Sequence, residues 1–221
     1  MPLNSCMTQK LYLHQEELWG RPDVLAHVEQ LKAQTPNFTL LDIGATHNPF
    51  NKDYLTHTFD LRPAGRTDVH EFSGNINNAE DWVQLFDYVE KHGKFTFCNC
   101  THTLEDIADP MVALKYMPMI AEQGFIAVPS KYYELQRRES FRGAIHHRWI
   151  WNGRNNRLVG YPKINLIEYI SYGEYDKVIA EQSETELRVF WQDNIDYEII
   201  NNDYLGPTRE AVIDMYVDLI Y

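Results

Sequence analysis

The sequence predicts an α/β protein, a Rossmann-like three-layer sandwich around a mostly parallel sheet. Three observations predict it. Short apolar runs alternate with amphipathic helical stretches between residues 38 and 129. The first run ends in Asp42 followed closely by Gly44, and the second ends in an acid, Asp60. Alternating strands and helices imply βαβ units, whose crossovers leave neighbouring strands parallel. The 221 residues suffice for one domain with a full core. A single domain is expected over residues 1–221, with a helical cap (1–36), a Rossmann-like core (37–148) and C-terminal strands with a helix (149–221).

In the cap, Pro22 suits a first helical position, and Val24, Leu25, Val28 and Leu31 recur at helical spacing until Pro36 and Asn37. Residues 38–43 and 58–61 are predicted strands. Residues 78–91 are predicted to form a helix. Asn78 is its cap, Asp81 lies three residues on, and Trp82, Leu85, Phe86 and Val89 share a face. A strand over 94–100 follows. Next comes a helix over 110–122 with Met111, Leu114, Met117 and Met119, interrupted near Pro118. Residues 124–129 make another strand. The last 70 or so residues change character. Residues 149–151 and 157–159 around the turn 152–156 read as a hairpin. Residues 186–191 and 197–200 read as a second strand pair. Residues 208–221 read as a final helix with Val212, Met215, Tyr216 and Leu219 on one face. This C-terminal part is expected to be an antiparallel elaboration of the core.

Composition excludes some partners. With 20 Lys+Arg against 32 Asp+Glu, the net charge is −12, and a long phosphate backbone would be repelled unless a basic patch intervened. The basic cluster of Lys131, Arg137, Arg138, Arg142 and Arg148 is diluted by Glu134 and Glu139. No nucleic acid partner is expected. The three cysteines Cys6, Cys98 and Cys100 do not make a disulfide framework. Cys98-Asn99-Cys100 lacks the second pair of a zinc site, and both thiols would face one side of a strand as small buried groups. No run approaches the roughly 20 apolar residues of a membrane span, and residues 1–20 lack a signal-peptide core. A cytoplasmic protein without membrane partners is expected. Aromatics make up 13% of the chain and many follow residue 130. They suit stacking on sugars in a cleft, or simply core packing.

Two motifs carry chemistry. In LLDIGATHNPF, residues 40–50, Gly44 lets the backbone approach a ligand, and Asp42 can hold the loop or a ligand ammonium. Asp60 could accept hydrogen bonds from both ribose hydroxyls. The plainer alternative is an ordinary strand-end acid and turn glycine. The second motif runs Asn99-Cys100-Thr101-His102-Thr103-Leu104-Glu105-Asp106-Ile107-Ala108-Asp109-Pro110. It resembles the class I S-adenosylmethionine-dependent methyltransferases, in a small type 11-like branch whose segment after the fourth strand reads S-H-x-L-E-H-x-x-D-P. Gln123-Gly124-Phe125-Ile126-Ala127-Val128-Pro129-Ser130 matches that branch's L-K-P-G-G-x-L-x-x-x-x-P pattern with one glycine missing. Tyr133-Glu134 and His146-His147-Arg148-Trp149 are also similar to features of small bacterial members. The resemblance covers roughly residues 38–151.

The resemblance implies S-adenosylmethionine as cofactor. Asp42 and Gly44 would flank its methionine end and Asp60 its ribose. The segment 74–77 would lie at the adenine, with Asn75 where many members carry Asp and Ile76 beside it. Asn99 and Thr101 would line the floor near the sulfonium, and His102 would face the acceptor. Gly44 is followed by Ala45-Thr46-His47-Asn48-Pro49 instead of further glycines, which implies a stiffer loop and a shortened helix.

Methyl transfer is an in-line displacement, so orientation dominates. A hydroxyl acceptor also needs a base. His102, with an ordinary imidazole pKa, is the first candidate, and the alternative for it is a structural histidine capping the next helix. His146, His147 and Glu105 are further candidates. Glu134, on the loop after a strand end, is placed to touch the acceptor, and Arg148 could bind an anionic group. A divalent ion could draw on His102, Glu105, Asp106, His146 and His147. Adjacent histidines on a strand face opposite ways, however, so no metal is expected. The acidic chain without a basic groove favours a hydroxyl of a sugar or glycan as acceptor. The alternatives are another small metabolite, an amine, or a non-catalytic S-adenosylmethionine-binding domain. Nothing like G-x-G-x-x-G is present to seat a dinucleotide pyrophosphate.

Overall fold

The computed structural model describes residues 9–12, 20–45, 49, 51–138, 140–169 and 185–200. In chain order the elements are β1 (Gln9–Tyr12), α1 (Arg21–Gln34), β2 (Leu40–Ile43), β3 (His57–Asp60), β4 (His70–Ser73), α2 (Val83–His92), β5 (Phe97–Thr101), α3 (Pro110–Ile120), β6 (Gln123–Pro129), α4 (Lys131–Leu135), β7 (Arg137–Arg138), β8 (Phe141–Arg142), β9 (Trp149–Arg154), β10 (Arg157–Pro162), β11 (Glu186–Gln192) and β12 (Tyr197–Ile199). Seven strands form the main sheet in the order β1-β11-β6-β5-β2-β3-β4. The neighbours from β6 through β4 are all parallel. β11 runs antiparallel to β6, and β1 antiparallel to β11. This is the mostly parallel Rossmann-like sheet that the sequence predicts. The chain order reverses between β2 and β5, and ligands of such sheets sit outside the strand carboxyl ends at that switch point.

Side-chain alternation makes the three layers. Leu41, Ile43, Cys98, Cys100, Ile126 and Val128 pack with Leu85 of α2 and Leu114 and Met117 of α3. Leu40, Phe97, Phe125 and Ala127 pack on the opposite face with Val24 and Val28 of α1. Cys98 and Cys100 are buried, as expected of small apolar groups, and burial pushes both thiols well above their usual range.

Several elements differ from expectation. The N-terminal region contributes the strand β1 to the main sheet as well as a helix. β4 is unforeseen because Phe72 is its one buried residue, too little for a strand pattern. The connection from β3 to β4, residues 61–69, has no helix. It is organised instead by Glu71, whose carboxylate accepts from the N–H groups of Ala64, Gly65 and Arg66 at 3.0, 2.9 and 3.1 Å. Asn78 caps a 3-10 turn (Ala79–Trp82) that leads into α2, its Oδ1 accepting from the Glu80 N–H at 3.2 Å. α3 passes through Pro118 uninterrupted. The proline sits in the last turn, where only one intrahelical bond is forfeited.

The C-terminal strands split between two sheets. β9 and β10 form the expected hairpin across Asn155-Asn156, whose φ angles of 53° and 59° suit a two-residue turn with both central residues left-handed. β12 pairs in parallel with β10, while β11 joins the main sheet, so the expected pairing of 186–191 with 197–200 does not form. Trp149, Trp151 and Leu158 of the small sheet pack into the core shared with α2 and α3. The expected helix over 208–221 lies outside the described residues. Among the described residues no helix is long and apolar enough to cross a membrane.

Candidate functional site

At the switch point, Asp42 of β2 is in register with Asn99 of β5, and the Asn99 Nδ2 donates to Asp42 Oδ1 at 3.2 Å. Asp42 is only 2% exposed. Burial pushes its carboxyl up to about 7, against the opposing pull of the Asn99 and Asn51 amides and with a further push from the Asp60 charge. Asn51 stands close by without hydrogen-bond geometry. Both its amide atoms, and Asn99 Oδ1, are buried without a hydrogen-bond partner among the described residues. Buried polar atoms left without a protein partner call for another one, such as an ordered water or a ligand.

Gly44 adopts φ +73°, and its N–H donates to the Phe59 carbonyl at 2.9 Å. A Cβ there would stand 2.2 Å from Thr103 Oγ1. The Thr103 hydroxyl donates to the Thr101 carbonyl at 3.1 Å, so it ties the segment after β5 beneath the turn. Asp60 closes β3, with Oδ1 accepting from the Arg62 N–H at 2.8 Å. Asp42, Gly44, Asp60, Asn99 and Thr101 therefore gather at the carboxyl ends of three adjacent strands.

The segment assigned to the adenine is partly engaged within the chain. Asn75 is exposed, but its Oδ1 is engaged by the backbone N–H and amide of Asn77 at 3.0 and 2.9 Å, which leaves only its Nδ2 for a base. Ile76 packs into the core, and its carbonyl accepts from Trp82 Nε1 at 2.9 Å, so its side chain does not face a cofactor.

Beside this crevice, beyond the ends of β5 and β6, lies a cleft of about 470 Å³ lined by His102, Glu105, Asp106, Tyr133, His146, His147 and Glu186, among others. His102, at φ +52°, lies between two carboxylates, with Nε2 2.9 Å from Glu186 Oε1 and Nδ1 3.4 Å from Glu105 Oε1. The hydrogen bonds to Glu105 and Glu186 raise its pKa to about 9 despite partial burial. This corrects the expectation of a general base with an ordinary pKa. At neutral pH His102 already holds its proton, and it serves as a cation that orders Glu105 and Glu186. Burial would raise the Glu186 pKa, but the bonds from His102 and Arg188 take it down to about 2.

This pair makes stability pH-dependent with a definite sign. The His102 contribution is full below its free value of 6.5 and is lost as pH rises through about 9. The Glu186 contribution is full above 4.5 and is lost as pH falls through about 2. The difference in urea midpoint between the wild type and His102→Gln is expected to be greatest between pH 4.5 and 6.5 and to shrink toward pH 9. A difference that stays constant to pH 10 would contradict an imidazolium at this position.

Glu134 also departs from expectation. It is 0% exposed, so it does not touch an acceptor. One oxygen bonds His147 Nδ1 at 2.6 Å and the other accepts from Lys163 Nζ at 2.5 Å. Lys163 also donates to the carbonyls of Arg142 and Ala144 at 2.9 and 2.7 Å. Burial would lower the His147 pKa, but the Glu134 bond, with the charges of Glu134, Glu105 and Asp106, raises it on balance. His146 and His147 lie in the turn before β9, not on the strand, and both Nε2 atoms lie 3.8 Å from Asp106 Oδ1. The premise that adjacent histidines must face apart fails for this reason. Arg148 is exposed at the rim of a smaller hollow that it shares with His146 and His147.

Part of the basic cluster is engaged inside the protein. Arg142 is fully buried, donating to the carbonyls of Ile167 and Leu135 at 3.0 and 2.6 Å, and Arg137 donates to the Glu168 carbonyl at 2.7 Å. Sequence reasoning missed Thr103, Lys163 and Glu186 as parts of this region. It also missed Asn51, whose position just after the Asn-Pro-Phe segment was its one available signal.

No family model and no curated protein matches the chain. Among solved structures, a cyclopropane-fatty-acyl-phospholipid synthase-like protein from Lactobacillus casei is 14% identical over half of each chain, with a TM-score of 0.32. A provisionally assigned ribosomal RNA methyltransferase from Plasmodium falciparum is 10% identical over 81% of this chain and 98% of its own, with a TM-score of 0.40. The MycE methyltransferase of the mycinamycin biosynthetic pathway, in complex with Mg and SAH, is 9% identical over 91% of this chain and 55% of its own, with a TM-score of 0.40. The chain thus spans about half the length of the first and third of these. Likeness this distant carries no argument about chemistry, which rests on the residues themselves.

Proposed function

We propose that the chain is an S-adenosylmethionine-dependent methyltransferase acting on a hydroxyl of a small or glycan acceptor. The observation that carries this reading is a convergence. The positions to which the sequence resemblance gives cofactor roles, Asp42, Gly44, Asp60, Asn99 and Thr101, meet at the switch-point strand ends, and Thr101 leads directly into the His102 cleft. The residues fit the cofactor. A buried carboxylate and orphaned amide atoms suit the cationic, hydrogen-bonding methionine end, Asp60 suits a ribose diol, and no phosphate cradle is required.

When bound, S-adenosylmethionine supplies an electrophilic methyl group on a positively charged sulfur. The chain supplies position and proton handling. Asp42, held by Asn99, orients the methionine end, and Gly44 lets the backbone approach. The cleft beyond Thr101, lined by His102 and its neighbours, would receive the acceptor. His102, already protonated, lies between Glu105 and Glu186 and holds both carboxylates at the wall of the cleft.

Asp60→Ala is expected to weaken S-adenosylmethionine binding in calorimetry by roughly 1.5–3 kcal/mol, the worth of a charge-assisted hydrogen bond. Unchanged affinity in a folded variant would remove Asp60 from the site. The acceptor is tested by following S-adenosylhomocysteine release with hydroxyl sugars and nucleotide sugars. Release with amines but with none of the hydroxyl compounds would overturn the acceptor class.

A further inference from the structure

The geometry points to a divalent transition-metal site in the acceptor cleft, held by Asp106 Oδ1, His146 Nε2 and His147 Nε2. These three atoms all lie within 4.8 Å of one another. Ligand atoms that share an ion at about 2.0–2.2 Å stand roughly 3–3.5 Å apart. Small movements of Asp106 and His146, both exposed, therefore close the set.

Independent features prepare these residues for an ion. His147 commits its Nδ1 to the wholly buried Glu134 at 2.6 Å, and Lys163 neutralises the other Glu134 oxygen. A carboxylate on the far nitrogen is how proteins fix the tautomer and ring orientation of a metal-binding histidine. With the proton on Nδ1, the Nε2 lone pair faces Asp106. The backbone is stapled on both sides of Asp106 as well. The Glu105 carbonyl accepts from the N–H groups of Arg148 and Trp149 at 2.6 and 3.2 Å, and the Ile107 carbonyl accepts from Trp149 Nε1 at 2.9 Å. The turn carrying the histidines is thereby fixed against the segment carrying the aspartate. Glu105, 1% exposed and with an unpartnered Oε2 among the described residues, lines the same cleft.

Two imidazoles and one carboxylate favour zinc, cobalt or iron(II) over magnesium and calcium, which prefer all-oxygen sets. Three protein ligands leave coordination positions open toward the cleft. Resting on the methyl-transfer reading, the ion would lower the acceptor hydroxyl's pKa. The hydroxyl proton would then pass to water in the open cleft. The acceptor oxygen then bonds the methyl carbon as the carbon–sulfur bond breaks and its electron pair stays on sulfur.

The test uses the full chain after dialysis against a chelator, titrated with ZnCl₂, CoCl₂ or MgCl₂ alone and followed by calorimetry and by cobalt visible absorption. One saturable site is expected, at least tenfold tighter for zinc and cobalt than for magnesium. His146→Ala and Asp106→Ala change exposed side chains and should fold. Each is expected to weaken binding at least tenfold and to alter the cobalt spectrum. No saturable binding, or binding unchanged in both variants, overturns the site. The same chelated protein is titrated separately with S-adenosylmethionine. Cofactor binding without metal binding overturns the metal site alone. Metal binding without cofactor binding overturns the methyl-transfer reading and supports the site.

Discussion

Replacing Glu134 with alanine is expected to destabilise the protein by about 3–5 kcal/mol, the cost of leaving a buried charge without its partner. Lys163, 6% exposed at its side chain, would keep only the carbonyls of Arg142 and Ala144. His147 would lose the acceptor that orients its ring. Gly143, at φ +55°, sits against Glu134 so closely that a Cβ would meet its carboxyl oxygen at 2.5 Å. Truncating Glu134 therefore opens a void under the turn as well. For a chain of this size each kcal/mol shifts Tm by about 2–4 °C, so the loss is large in a thermal scan. Glu134→Gln keeps the shape and one acceptor and is expected to fall between. A drop of less than 1 kcal/mol for Glu134→Ala would show that Lys163 finds water or another partner.

Gly44→Ala is expected to damage stability and cofactor binding together. The left-handed backbone at φ +73° costs an alanine about 1–2 kcal/mol. The new Cβ, 2.2 Å from Thr103 Oγ1, adds roughly 1–3 kcal/mol of overpacking. Thr103 or the β2 turn must move, and either movement disturbs Asp42 and Thr101. Adding Thr103→Ala removes the nearest clashing atoms but not the backbone cost. The double variant is therefore expected to regain part of the stability lost in Gly44→Ala. Calorimetric titration with S-adenosylmethionine and a urea melt on both variants check this. Wild-type affinity in Gly44→Ala would place the cofactor elsewhere.

The legible part of the site is the part written in consecutive residues. Asp42 and Gly44 follow one strand, Asp60 ends the next, and Asn99 to Asp106 run on from a third. A strand end and its loop travel together in space, so a motif there survives folding. Continuous apolar runs made the strands readable wherever both faces are buried, as in β2, β5 and β6. β4, with one buried residue, left no such trace. Glu186 reaches His102 across 84 residues and Lys163 reaches Glu134 across 29, and neither has a local signal. The error over His102 followed only in part from this, because its proton affinity is raised first by Glu105, three residues on in the same motif, and then by Glu186 from β11. The histidine pair was misjudged for a related reason. The Glu105 carbonyl holds that turn, and backbone bonds between distant segments leave no mark on the identity of either residue.

The pairing of β1 with β11 has a consequence for the order in which the molecule can be completed. Gln9, 3% exposed, donates to the carbonyls of Asn156 and Asp196 and accepts from the Asp196 N–H, and Asp196 lies 187 residues further along the chain. At about 5–20 residues per second on the ribosome, this strand waits roughly 10–40 s for its partner to be made. Throughout that time β1 has no ladder to join. Afterwards, until it docks, β11 offers an open edge to any other extended segment. Chain removal before residue 12 should therefore show itself first as self-association during refolding, with the parallel strands β2 to β6 still able to form.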